Sequence, residues 1–473
     1  MSGARRSALL AAGLLAVALA AATVTHAAPA RIVARLPRAG LVVPREHPAV
    51  RVRVASSVRV RARVWLAGPD GSTLAASDGV HLAARRARTL SLRLTAAGVA
   101  LLTRCGTTRV TLAVRPVGGR VRRFSAQTVP DPVRCAPLRW APPQLQDPQT
   151  IALGQGFAML HLTPGRDYVL RLPPGRKVGG TFVEGGRNVV VIGGHISVPT
   201  GTVSDSQRRA LYFKDQTGTV HVEGLEIDGR AGGEADAIAI NAPQATVQIE
   251  NVRVDYLHGR QSGTHADVVQ PWGGVGVLRI DRLTGSSHFQ GLTIPIDQGP
   301  IGSASIADVD LHALAPDVPG GGGGDMLWLT REGTCNGYPV QLENVYVTTR
   351  ANRTIGDSLW PHTHDGTRCA GVQSGATISW PALPVQGFVT SGSPPGGAYV
   401  PSGSVGDDYH SPGYLGAAGG GGSGGGVSRT SPAPALLAAL GLALALSLLR
   451  ARGWRSPPRP RSPSRRRSRR VRG

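Results

Sequence analysis

Between residues 31 and 135, apolar and polar positions alternate one by one. Val52, Val54, Val58, Val60, Ala62 and Val64 are interleaved with Arg51, Arg53, Arg59, Arg61 and Arg63, and alternation returns at Leu90, Leu92 and Leu94 and at Val110, Leu112 and Val114. A period of two sends successive side chains to opposite faces of a strand, so these segments predict half-buried strands with a solvated arginine face. Gly68-Pro69-Asp70-Gly71 supplies a turn. Several short strands in about a hundred residues predict a small β-sandwich over residues 28–135.

Beyond residue 145 a longer recurrence takes over. Six hexapeptides begin on an aliphatic residue, pass through a mostly polar or glycine pair and return to an aliphatic residue; they start at Val191, Val222, Ile249, Ile280, Ile306 and Leu342, 26–36 residues apart. Most follow another short strand, at 210–213, 237–240, 267–270, 292–296 and 326–329. Constant strand cores with unequal spacing predict one coil of a parallel β-helix per repeat, with turns of differing length bulging outward. An α-solenoid needs a 3.6-residue period, and a propeller blade needs about forty residues and four strands. The β-helix is expected over residues 145–380.

The two ends predict export. Arg5 and Arg6 precede an apolar run at 8–24, and Thr25-His26-Ala27 offers a cleavage site, so residues 1–27 read as a signal peptide. Residues 381–432 read as a disordered Gly/Pro/Ser-rich linker, with 416–426 nearly all glycine. Residues 433–449 are apolar and just long enough for a transmembrane helix, and 450–473 form an arginine-rich tail expected in the cytoplasm. The predicted location is the cell surface, held by a single C-terminal membrane helix. This arrangement resembles the tripartite C-terminal anchors and sorting signals of bacterial surface proteins.

Composition supports strands and turns: 64 Gly, 36 Pro and 4% aromatic residues disfavour a helix bundle. The formal charge of +23 suggests nucleic acid, but the arginine tail carries about half of it with no acidic residue, so no nucleic-acid partner is expected. Cys105, Cys135, Cys335 and Cys369 fall into two local pairs, and in an exported chain they predict disulfides 105–135 and 335–369.

The stretch from Leu94 through Leu102 and on to Thr108–Val114 resembles the Ig-like modules of bacterial surface proteins. The central hexapeptides resemble the pectin-lyase-like right-handed parallel β-helix superfamily. That resemblance covers residues 145–380 and implies a right-handed parallel β-helix; with the readings above, the expected chain is all-β, a right-handed parallel β-helix preceded by a small β-sandwich, with a C-terminal transmembrane helix. Members of the superfamily include polysaccharide lyases, glycoside hydrolases, esterases, adhesins and phage tailspikes, so the fold does not choose an activity.

Candidate chemistry sits on the strand before each hexapeptide. Stacking 236–241 on 267–272 predicts Asp236 and Asp267 about 5 Å apart at one strand edge. His265 lies two residues before Asp267, and His265-Ala266-Asp267-Val268-Val269-Gln270 resembles a His-x-Asp-x-x-Gln stretch of bacterial β-helix proteins. Paired carboxylates can share a proton, bind a cation such as Ca2+, or act as acid and base on a glycosidic bond. Asp236, Asp267 and His265 are therefore the catalytic candidates. Asn241 and Gln270 have outward parity, Trp272 can stack on a sugar and Asp325 can extend the acidic column, so these four are the ligand-binding candidates. Parity also supplies the opposing view: Asp236 and Asp267 share the inward phase of Ile238 and Val269, and an Asp at the start of a strand often holds the preceding turn. The ordered motifs of polygalacturonases are missing around His258-Gly259 and Arg279-Ile280-Asp281, and neither Arg253 nor Arg279 stands out as a lyase base. His195, His221, His288 and His312 are scattered, whereas His362-Thr363-His364-Asp365 is dense enough to bind a metal weakly. The expected partner is a polysaccharide or cell-wall glycan, bound and cleaved or merely bound; the rival reading is a non-catalytic structural or adhesive protein.

Overall fold

The computed structural model describes residues 30–35, 49–102, 107–128, 131–201, 204, 207–318, 321–330 and 334–414. The expected signal peptide, glycine run, membrane helix and basic tail lie outside the described residues, as does Cys105. Among the described residues no helix is long and apolar enough to cross a membrane.

The N-terminal strands form two antiparallel sheets. β1 (Ile32–Arg35), β2 (Ala49–Ser56) and β5 (Ala87–Arg93) make one, and β4 (Thr73–Leu82), β3 (Val60–Ala67), β6 (Arg109–Pro116) and β7 (Arg122–Gln127) make the other. Val52, Val54, Val64, Leu66, Leu92, Leu112 and Val114 are buried between them, while Arg51, Arg53, Arg61 and Arg63 stay on the outside. The resemblance to Ig-like modules is interrupted at Ala96–Leu102, a short helix. Gly98 is required there, because a Cβ on it would stand 2.3 Å from the Leu74 carbonyl oxygen.

Residues 149–391 of the described chain form a parallel β-helix of three sheets, visited in the order A, B, C, with one antiparallel hairpin, Val372–Ser374 with Thr377–Ser379, inserted near its end. Sheet A stacks Ala158–Leu162, Thr181–Gly185, Arg209–Lys214, 236–242, 269–275, Leu292–Thr293, Leu327–Trp328 and Leu359–Trp360. Sheet B runs from Gln149–Ala152 through the hexapeptides to Val385–Gln386. Sheet C runs from Arg176–Val178 to Val389–Ser391. The six residues that start the hexapeptides occupy one register column, Val191, Val222, Ile249, Ile280, Ile306 and Leu342. All six are buried in a continuous core.

The central pairs of the hexapeptides have a backbone cause. Their second members at the B–C corner, Gly193, Gly224, Asn251, Arg282, Asp308 and Asn344, all have positive φ, between 50° and 68° for Asp308 and Gly224 at the extremes. This left-handed bend costs least for Gly and is tolerated by Asn and Asp. At the opposite end of sheet C's stack a lysine takes a core position: Lys177 pairs with Ile196 and is fully buried. Its ammonium donates to the carbonyls of Gly179 (2.8 Å) and Gly180 (3.1 Å) and to that of Gly156.

The stack continues past residue 380, and the segment 381–414 is folded instead of forming the first part of a linker. Val385–Gln386 and Val389–Ser391 add a rung to sheets B and C. Residues 399–414 then return along the outside of the stack as a strap. Tyr399 N–H donates to Asp310 (3.0 Å), Val400 N–H to Thr284 (2.9 Å) and Gly406 N–H to the Gly224 carbonyl (2.8 Å). Farther on, Asp407 accepts from Gly175 N–H (2.7 Å), Tyr409 hydroxyl donates to Glu223 (2.6 Å) and Ser411 hydroxyl donates to Glu223 (2.8 Å). The segment around Arg139 lies over the same face, with its N–H on Glu250 (2.8 Å). Together they cover a stack of acids, Glu223, Glu250 and Asp281, all of them buried.

Candidate functional site

The outward side of sheet A carries a column set by register: Met159, Phe182, Tyr212, Ala239 and Gln270, followed after one rung by Trp328 and Trp360. Thr293, which pairs with Trp328, fills the rung between. Period-two alternation puts these side chains on the face opposite the core. Phe182 and Tyr212 lie with ring centroids 4.7 Å apart, Tyr212 and Trp272 5.9 Å apart, and Trp328 and Trp360 5.5 Å apart. Phe182 and Tyr212 are covered, with Phe157 and Trp272 packed against them, whereas Gln270, Trp272, Trp328 and Trp360 keep part of their surface open. The Arg209 guanidinium sits 5.0 Å from the Tyr212 ring centre and 5.6 Å from that of Trp272. The indole N–H groups of Trp272 and Trp360 have no hydrogen-bond partner.

Beside this column runs a polar one, His161, Glu184, Lys214 and Asn241. His161 Nδ1 and Lys214 Nζ both meet the Glu184 carboxylate, which the Lys214 ammonium holds below its ordinary pKa. The sequence-nominated Asn241 and Gln270 thus face outward as their parity requires, and Gln270 donates to Gln298 (3.2 Å).

The nominated carboxylates lie beneath this surface. Asp267 N–H donates to Asp236 Oδ1 (3.2 Å), so the two are neighbours. Asp236 meets Arg209 Nε (3.3 Å). Asp267 accepts from the Thr293 hydroxyl, its Oδ2 has no partner, and it has no exposed surface. Burial, with the charge of Asp236 beside it, pushes the Asp267 carboxyl well above its ordinary range. An enclosed carboxyl cannot reach a polymer in this conformation. His265 is not brought to the pair: it is exposed, with Nε2 on the Gln261 carbonyl (3.2 Å) and its ring on Phe289 (4.8 Å).

Asp325 occupies the equivalent strand start farther along the stack, nearer the surface. Its Oδ1 accepts from Arg353 Nη2 (2.9 Å) and lies 3.1 Å from His362 Nε2. His362 Nδ1 lies 3.4 Å from Asp365, and the His362 ring meets Trp360 edge-on at 4.5 Å. His364 stacks on His362 (5.1 Å) and meets Asp357 (3.2 Å). A carboxylate, an imidazole and a guanidinium therefore converge where the aromatic column ends, a set able to move a proton. His362, His364 and Asp365 are also close enough to hold a metal. Two imidazoles among three donors suit a transition metal better than Ca2+, which takes oxygen ligands. The 335–369 disulfide expected from sequence is present, with Cα atoms 5.6 Å apart.

Sequence reasoning missed Tyr212, Trp328 and Trp360 as one surface. Tyr212 and Trp328 are 116 residues apart and Trp328 and Trp360 are 32 apart, with turns of unequal length between them, so only register aligns them.

No family model matches the chain, and no curated protein matches it. Among solved structures, pectate lyase Pel3 from Pectobacterium carotovorum is similar at 12% identity, over 62% of this chain and 87% of that one, with a TM-score of 0.17.

Proposed function

We propose that this chain binds an extended polysaccharide along the outer face of sheet A. The aromatic column carries the reading. Its open part, from Gln270 to Trp360, crosses three inter-strand steps, roughly 14 Å at the usual strand spacing, long enough for two or three sugar rings in line. Aromatic faces supply apolar contact, while Asn241, Gln270, Lys214 and Glu184 supply hydrogen-bonding groups alongside. Cleavage, if the chain performs it, belongs to Asp325 with His362 and Arg353, because Asp236 and Asp267 are enclosed. Export and C-terminal anchoring, read from the two ends of the sequence, would set this face against extracellular glycan.

A non-catalytic, adhesive role is the second reading, and the burial of the Asp236–Asp267 pair favours it. One experiment separates the two: incubate the protein with acidic and neutral polysaccharides, and follow retention, new reducing ends and unsaturated-uronate absorbance. Binding by wild type that is lost in Trp328→Ala/Trp360→Ala supports the site. Reducing ends or absorbance lost in Asp325→Asn would assign catalysis. Retention unchanged by the double tryptophan variant would remove this face from consideration.

A further inference from the structure

Sheet C ends at a turn that recurs from coil to coil. Leu257 pairs with Ser287, and Ser287 with Ala313. His258 and His288 therefore leave adjacent rungs together, and their rings stack with centroids 4.6 Å apart and planes inclined by 16°. That separation matches the spacing of neighbouring strands. The following coil brings Asp317 to both. Its Oδ1 lies 2.9 Å from His258 Nδ1 and 3.2 Å from His288 Nδ1, while Oδ2 accepts from Gly259 N–H (3.1 Å). The three potential ligand atoms lie within 4.8 Å of one another. Each side chain is between 20% and 27% exposed, so the cluster is sheltered yet open to solvent.

We propose that His258, His288 and Asp317 bind a divalent transition metal of the zinc class, joining three consecutive coils at their turns. Two imidazoles and one carboxylate are a donor set for Zn2+, Co2+ or Ni2+ and a poor one for Ca2+ or Mg2+. Ligands about 2.0–2.2 Å from a tetrahedral ion stand roughly 3.3–3.5 Å apart. The two nitrogen–oxygen separations need to open by only a few tenths of an ångström. Binding requires both Nδ1 atoms to be unprotonated, with the proton of each neutral ring on Nε2. His288 must then give up its contact with the Ala315 carbonyl (2.6 Å). The fourth position falls to water or to that carbonyl. The Arg350 guanidinium, which donates to the His288 carbonyl (2.6 Å), adds positive charge nearby and works against the ion.

The cluster at His362, His364 and Asp365 is the internal comparison. There the imidazoles are committed to separate carboxylates, His362 to Asp325 and His364 to Asp357, and the His364 side chain is 63% exposed. The sheltered cluster in sheet C's turn should hold the ion more tightly.

The test uses the whole chain freed of metal by chelation and titrated separately with Co2+, Zn2+ and Ca2+. The readouts are the visible d–d absorption of bound cobalt and the thermal midpoint. The expected result is a saturable cobalt band displaced by zinc. Zinc at a hundredfold excess over its dissociation constant should raise the midpoint by about 5 °C, and calcium should not. His258→Gln/His288→Gln should lose both effects, and His362→Gln/His364→Gln should keep both. Should the first double variant fail to fold, Asp317→Asn keeps the size of the side chain and should weaken the band. Absence of the band in wild type overturns the proposal. So does a band that survives removal of His258 and His288, or one lost with His362 and His364.

Discussion

Glu250 offers a test of how the straps shape stability. Its side chain has no exposed surface, one carboxylate oxygen accepts from Arg139 N–H (2.8 Å), and the other has no partner. Burial pushes its carboxyl from 4.5 up to about 7, against the opposing pull of that N–H. The folded state therefore holds this proton at pH values where the unfolded chain has lost it. The stabilisation is full below the unfolded value near 4.5 and is lost as pH rises through about 7. For those two values the loss between pH 5 and pH 8 is about 2.5 kcal/mol. In a chain of this size that is a fall of about 5 °C in thermal midpoint. Glu250→Gln keeps the shape and cannot ionise. It should match wild type closely at pH 5 and exceed it by about 5 °C at pH 8, as followed by far-ultraviolet circular dichroism. Asp281 and Glu226 are displaced upward too, so wild type alone does not isolate the residue; the difference between the proteins does. A variant destabilised equally at both pH values would refute the argument and would mean that the ion pair of Glu250 with Arg282 (3.9 Å) outweighs burial.

Three further outcomes follow from the same structure. Lys177, pushed down to about 8 by burial, loses its proton in the folded state before the unfolded chain does. Stability relative to Lys177→Met should accordingly rise between about pH 8 and pH 10.5, by up to about 3 kcal/mol, in parallel melts. Tyr409→Phe removes a buried hydroxyl that donates to Glu223 and accepts from Asn251 (2.7 Å). It should cost about 2–4 kcal/mol and speed proteolysis within 399–414; an unchanged cleavage rate would mean that this residue does not hold the strap. Gly224→Ala should be worse still, because φ is +68° and the added Cβ would lie 1.9 Å from the Tyr409 ring; unaltered expression and melting would contradict the register described for the strap.

The repeat was legible because its signal is local. Each hexapeptide carries its own inward aliphatics and its own left-handed corner, and stacking only multiplies that pattern, as at Ile249-Glu250-Asn251. The first coils were not read into the repeat because they are shorter: the column runs from Ile151 to Leu170 to Val191. Parity placed Asn241 and Gln270 outward, and it assigned Asp267 the phase of the inward Val269; the carboxyl is buried, but its hydrogen bond runs to Thr293 of the outward column. Parity could not show that Arg209 and Thr293 would take up the carboxylates, since both come from other coils. The strap was invisible for a related reason. Tyr409 meets Glu223 across 186 residues, and its own segment has no periodicity to announce a partner. His288 looked scattered in sequence, and His258 stood out only in His258-Gly259, because turns of unequal length separate residues that the coil spacing brings together.

The strap also determines how the molecule would take a mechanical pull. Tension applied beyond residue 414 would not tug first on the last coil at Val389–Ser391. It would meet Tyr414, whose hydroxyl donates to the Pro143 carbonyl (2.7 Å), and then Ser411 and Tyr409 on Glu223. Force would thus enter at coils well inside the stack and run across several rungs at once. Strands joined along their whole length resist sliding better than a terminal strand resists peeling, because many hydrogen bonds must fail together instead of one after another. If the glycine run and anchor expected from sequence follow, a tethered molecule dragged by its ligand would be held by its middle, and its end coil would be spared.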